Sequence, residues 1–106
     1  MLSEGLVTID WGTTNRRVFL IEQGQVTRTE RDDKGVTSVA DFAAEVAGIR
    51  ERFGDLPVLM AGMVGSNIGW RAVPYVPAPA GVAELAANLL HIDDRTAIVP
   101  GVSVVG

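Results

Sequence analysis

The chain predicts an α/β fold in which three antiparallel strands are followed by parallel strands reached through helices. Three observations carry this. Residues 6–30 hold three β-type runs broken by turn residues; apolar positions from Val39 to Phe53 follow a helical period; and two short apolar runs, Val58–Ala61 and Thr96–Val99, each come after a helical stretch. With 106 residues, 47% of them apolar, residues 1–106 amount to one domain with enough material for a single core.

Leu6-Val7-Thr8-Ile9 shows little polar alternation, as expected of a strand covered on both faces. Arg17–Ile21 reads as the second strand, and the Gln23-Gly24 turn leads to the third, Gln25–Glu30, whose alternation suits a half-exposed edge. Arg31-Asp32-Asp33-Lys34 and Gly35 form a loop. Ser38 is the expected helix N-cap, with Asp41 three residues on, and Gly54 the expected stop after Val39, Phe42, Ala43, Val46, Ile49 and Phe53. Pro57 then precedes an interior strand, Val58–Ala61. A proline-rich bend runs from Pro74 to Pro79, and Val82, Leu85, Ala86, Leu89 and Leu90 mark a second amphipathic helix ending near His91 and Asp93. Thr96–Val99 is the fifth strand. Right-handed crossovers place the fourth and fifth strands parallel to the first, which gathers Asp10, Gly62 and Pro100-Gly101 at the carboxyl ends of the strands.

The formal charge of −4, with no basic run longer than Arg16-Arg17, argues against nucleic-acid or anionic-membrane partners. The absence of cysteine excludes disulfides, thiolate metal sites and cysteine nucleophiles. Met1-Leu2-Ser3-Glu4-Gly5 lacks a leader pattern, and no stretch approaches the roughly 18 apolar residues of a membrane span, so a cytoplasmic protein is expected.

Chemistry concentrates where the first strand ends on a carboxylate, in Asp10-Trp11-Gly12-Thr13-Thr14-Asn15. Gly12 lets an anion approach the backbone, Thr13, Thr14 and Asn15 add short donors, and Asp10 is placed to hold a metal or its water. The plain alternative is a hairpin turn, for which the same residue types serve; the two are compatible. A second glycine-rich segment, Gly62-Met63-Val64-Gly65-Ser66-Asn67-Ile68-Gly69-Trp70, places three glycines in eight residues, a pattern of tight turns or close ligand approach.

The element order is also that of the ribonuclease-H-like half of the sugar kinase, hexokinase, Hsp70 and actin superfamily. Asp10–Asn15 with Arg17, Gly35-Val36, Met60–Asn67 with Gly69-Trp70, Pro74-Tyr75, Pro77, Pro79 and Pro100-Gly101 together resemble the 2-dehydro-3-deoxygalactonokinase family. That resemblance implies transfer of the ATP γ-phosphoryl group, with Mg2+, to the terminal hydroxyl of 2-dehydro-3-deoxy-D-galactonate, giving the 6-phosphate in galactonate breakdown. It implies Asp10 as the catalytic, metal-orienting residue, with amides at Gly12, Thr13 and Thr14 around the phosphates and Asn15 beside them. Arg17 is equally suited to phosphate, to Asp10 or to a surface pair. Gly65, Ser66 and Asn67 offer donors to the sugar acid, beside Gly35. Lys34 and Arg16 are candidate partners for its carboxylate, although solvated charge is the commoner role for such residues, and Trp70 either walls the pocket or packs with Ile68 and Tyr75. His91 reads as a helix-end residue, and no general base is identifiable: the remaining carboxylates read as surface helix or loop residues, with Asp32 or Asp33 only a remote candidate to reach substrate.

Enzymes of this family are longer, with a second domain that supplies the adenosine pocket. The chain is therefore expected to be an incomplete amino-terminal part, inactive alone and exposing apolar surface that favours self-association into a homo-oligomer. Two rivals share the half-fold. A non-enzymatic actin-like nucleotide-binding or assembly module has no need of the Met60–Trp70 block, and a metal-dependent nuclease needs clustered carboxylates that the sequence lacks.

Overall fold

The computed structural model describes residues 5–103; Met1–Glu4, on which the absence of a leader was read, lie outside the described residues. The chain runs β1 (Leu6–Trp11), β2 (Arg16–Glu22), β3 (Gln25–Asp32), α1 (Phe42–Phe53), β4 (Val58–Gly62), β5 (Val76–Pro77), α2 (Val82–Ala87), β6 (Leu90–Asp93), β7 (Thr96–Ile98) and β8 (Val102–Ser103). Six strands form one sheet in the order β3-β2-β1-β4-β7-β6, while β5 and β8 pair apart from it. The expected meander is present, with β1 antiparallel to β2 and β2 to β3, and β4 and β7 lie parallel to β1 as the crossovers require.

Register decides which residues reach the core. Ile9 stands opposite Val18 on one side and Met60 on the other, and Met60 opposite Ile98. Because side chains alternate across a strand, Val7, Ile9 and Trp11 share a face with Val58, Met60 and Ile98, onto which α1 packs Val46, Ile49 and Phe53. Each buried aliphatic side chain there contributes about 1.5 to 3 kcal/mol of transfer free energy. The other face is only half covered: Leu6, Thr8, Phe19 and Leu59 keep partial exposure and Asp10 is open to solvent. β1 is therefore not buried on both faces, as its composition suggested.

Apart from one-residue shifts at β2, β4 and β7, several boundaries differ from expectation. β1 continues through Trp11, whose indole packs inward and donates from Nε1 to the Lys34 carbonyl (2.8 Å), and β3 continues to Asp32, which pairs with Arg16 across the ladder. Ser38 does not cap α1. Val36–Ser38 form a short 3-10 turn tied to the first hairpin, Val39 is extended, and Asp41 is the cap, its side chain accepting from the Ala44 amide at 3.1 Å. Gly54 ends α1 as expected, with φ of 120° and its amide on the Arg50 carbonyl. α2 stops at Ala87, with Asn88 as its cap, and buries none of its residues. Leu90–Asp93, expected as the helix end with His91, is instead an edge strand antiparallel to β7, closed by a tight turn in which Asp93 accepts from the Arg95 amide.

Candidate functional site

Loops from the carboxyl ends of β1, β4 and β7 converge. Gly12 from the first, Gly62, Met63, Gly65 and Ser66 from the second, and Val99, Pro100 and Gly101 from the third line a cleft of about 360 Å³, walled by Tyr75 and Val73. Two glycines make close approaches here, Gly62 to fixed backbone and Gly101 to the exposed, movable ring of Tyr75. Gly62 has φ of 98° and lies so close to β1 that a Cβ would stand 2.8 Å from the Trp11 carbonyl oxygen; a Cβ on Gly101 would stand 2.6 Å from the Tyr75 ring. The Val76 amide donates to the Gly101 carbonyl at 2.9 Å and holds the third loop against the proline bend.

Beside the cleft, a smaller cavity of about 180 Å³ is lined by Asp10, Gly12, Thr13, Thr14, Asn15, Arg16 and Arg17. The turn is a closed hairpin, the Gly12 amide donating to the Asn15 carbonyl at 2.9 Å. That amide is committed, so it does not join the expected set of phosphate donors. The amides of Thr13 and Thr14 donate to no protein acceptor among the described residues. Asp10 enters no salt bridge among the described residues, and its ladder partner is Arg17, also exposed.

Arg16 faces the other way. Only 1% exposed, it donates to Asp32 through Nε and Nη2 (2.7 Å at the shortest), donates to Glu45 through Nη1 at 2.9 Å, and lies 5.2 Å from the Trp11 ring centroid. It ties β2, β3 and α1 together behind the hairpin. Asp32 is thereby occupied. Partial burial pushes its carboxyl up, but hydrogen bonds from Arg16 and from the Lys34 amide outweigh that and hold it below the ordinary value of 3.8, which suits a structural anion and not a base.

The family model described as 2-keto-3-deoxy-galactonokinase matches residues 10–106. The chain belongs to that family. It is 38% identical over 104 residues to the 2-dehydro-3-deoxygalactonokinase of Escherichia coli (strain K12), covering 92% of this chain and 35% of that protein. A second relative, named "Probable 2-dehydro-3-deoxygalactonokinase DgoK1" in Rhizobium meliloti (strain 1021), is 31% identical over 93 residues, covering 81% of this chain and 30% of the relative. A Sinorhizobium meliloti crystal structure assigned the same kinase name superposes with a TM-score of 0.81 at 30% identity, covering 92% of this chain and 34% of that one. The chain spans about a third of the length of these relatives.

Against the site expected from the 2-dehydro-3-deoxygalactonokinase resemblance, the structure brings Asp10, Gly12, Thr13, Thr14, Asn15 and Arg17 around one cavity, and Gly12, Gly65 and Ser66 into the adjoining cleft. The Ser66 hydroxyl donates to the Met63 carbonyl at 2.6 Å and accepts from the Ile68 amide at 3.3 Å, leaving one lone pair for a ligand donor. Asn67 is exposed and lines neither space. Lys34 is likewise outside both, and Gly35 is buried behind the hairpin, where a Cβ would stand 2.3 Å from the Thr13 carbonyl oxygen. Trp70 packs: its ring stacks on Phe42 at 5.9 Å, and Phe42 meets Trp11 edge-on at 5.3 Å. Arg16 is a core ion pair and not a free carboxylate partner. Tyr75, grouped with Trp70 as packing in the sequence, is 71% exposed and walls the cleft. Its placement follows from the Val76 to Gly101 pairing, which no local pattern announces. Among the described residues, no three His, Cys, Asp or Glu side chains gather as a metal set, and no helix is long and apolar enough to cross a membrane.

Proposed function

We propose that this chain forms the amino-terminal, phosphate- and sugar-acid-binding part of a 2-dehydro-3-deoxygalactonokinase with a ribonuclease-H-like half-fold. The activity is transfer of the ATP γ-phosphoryl group to the terminal hydroxyl of 2-dehydro-3-deoxy-D-galactonate, a cytoplasmic step of galactonate catabolism. One observation carries the reading: two adjacent amides, Thr13 and Thr14, and a carboxylate, Asp10, that have no protein partner among the described residues line the same cavity. Phosphoryl transfer asks chiefly for positioning and charge stabilisation, and such amides are suited to phosphoryl oxygens. The neighbouring cleft, rich in backbone, takes the sugar acid.

A single carboxylate fits Mg2+ better than a dedicated cage would, because that ion is held by one or two carboxylates, by substrate phosphates and by its own waters. Asp10 is the residue that would hold it, and the ion would neutralise charge on the phosphates. Arg17, across the ladder from Asp10, adds a cation at the same cavity. On this proposal, water exclusion and adenosine binding fall to the part of the relatives' length that the chain does not span, and the 106 residues alone are expected not to turn over.

The test is ADP release with the galacto-configured sugar acid and its gluco epimer, on the full-length protein and on the 106-residue chain. Release by the full-length protein alone, with the galacto acid preferred, is expected; turnover by the short chain would contradict the proposal. Asp10→Asn should reduce kcat by several orders of magnitude with an unchanged Tm, and retained turnover would remove Asp10 from the site.

A further inference from the structure

Behind the hairpin, residues 35–37 make three hydrogen bonds to its carbonyls. The Val36 amide donates to the Gly12 carbonyl at 2.9 Å, the Thr37 amide to the Thr13 carbonyl at 3.2 Å, and the Thr37 hydroxyl to the same Thr13 oxygen at 2.9 Å. Gly35 permits this approach. A Cβ there would stand 2.4 Å from both the Thr13 carbonyl carbon and the Thr14 nitrogen.

A trans peptide is planar, so the carbonyl of one residue and the N–H of the next point in opposite directions. The Gly12 carbonyl shares a peptide with the Thr13 amide, and the Thr13 carbonyl with the Thr14 amide. Holding both carbonyls toward residues 35–37 therefore turns both amides to the other side of the hairpin. The cavity containing Asp10 is lined by Gly12, Thr13 and Thr14 but by none of residues 35–37, in keeping with opposite sides.

We infer that Thr37 is a positioning residue for anion binding: with Val36 and Gly35 it holds two peptide planes so that the Thr13 and Thr14 amides are presented together to a phosphoryl group. This rests on the phosphate-seat reading above and assigns its preorganisation to a segment that never touches the ligand. Thr37 is exposed, so the hydroxyl contributes little to the core and its loss should register in binding more than in stability.

Inorganic tripolyphosphate with Mg2+ serves as the probe, titrated calorimetrically into the chain and into Thr37→Val and Thr37→Ser variants, with Tm measured on each. Removing one hydrogen bond from the support should weaken binding about five- to tenfold in Thr37→Val at an unchanged Tm, with affinity recovered in Thr37→Ser. If the original chain binds tripolyphosphate and Thr37→Val binds it equally well, the positioning role is wrong while the seat stands. If the original chain does not bind it, the seat itself is wrong and this inference falls with it. A Tm loss in Thr37→Val that Thr37→Ser does not reverse, together with unrecovered affinity, would make Thr37 merely structural.

Discussion

Arg16 and Arg17 are neighbours in sequence with opposite environments, because successive side chains of a strand point to opposite faces. Arg17 lies beside Asp10 on the open face, whereas Arg16 turns inward onto Asp32 and Glu45. Burial pulls the Arg16 guanidinium toward deprotonation, but hydrogen bonds to the two carboxylates raise it further, so it stays cationic. Asp32 gives the cluster a pH signature. Its folded carboxyl titrates below its ordinary value of 3.8, so its stabilising contribution is fully present above about pH 4 to 5 and is lost as pH falls through the folded value. The urea midpoint should hold from pH 7 to 5 and drop below pH 4, and Asp32→Asn, lower throughout, should lose part of that acid dependence; an identical acid limb would disprove the linkage. The arginine pair itself was legible in the sequence, but their roles were not, since the partners of Arg16 lie 16 and 29 residues away.

At the level of elements, local patterns located most strands and α1 but misplaced two helix ends, in each case because a distant segment competed. Ser38 satisfies the local chemistry of an N-cap, yet Val36 and Thr37 are already bonded to the hairpin and the Ser38 amide to the Gly35 carbonyl, so the helix waits for Asp41. Asp41→Ala should cost about 1 kcal/mol in chemical unfolding, and Ser38→Ala less than about 0.5 kcal/mol. Equal losses would mean that the cap is misassigned. Leu90-His91-Ile92-Asp93 fits both a helix end and a two-residue period; pairing with β7 decides for the strand, and Asp93-Asp94-Arg95 was the unread turn signal.

For the molecule as a whole, the arrangement of the site was legible because handed crossovers leave few topologies: once β4 and β7 are parallel to β1, the loops after Trp11, Gly62 and Ile98 must meet at one end of the sheet. What the pattern could not supply was the orientation of individual groups in those loops. That Gly12 spends its amide inside the turn while Thr13 and Thr14 do not depends on residues 35–37, more than twenty positions on. The half-covered sheet face follows from the same topology, with α1 on one side only. The account turns on those two amides, and the direct measurement is the amide NMR spectrum of the 106-residue chain during titration with MgATP. The Thr13 and Thr14 resonances should move together and saturably while the Gly12 resonance, already bonded to Asn15, moves less; amides of Thr13 and Thr14 that stay fixed at saturating nucleotide would contradict it.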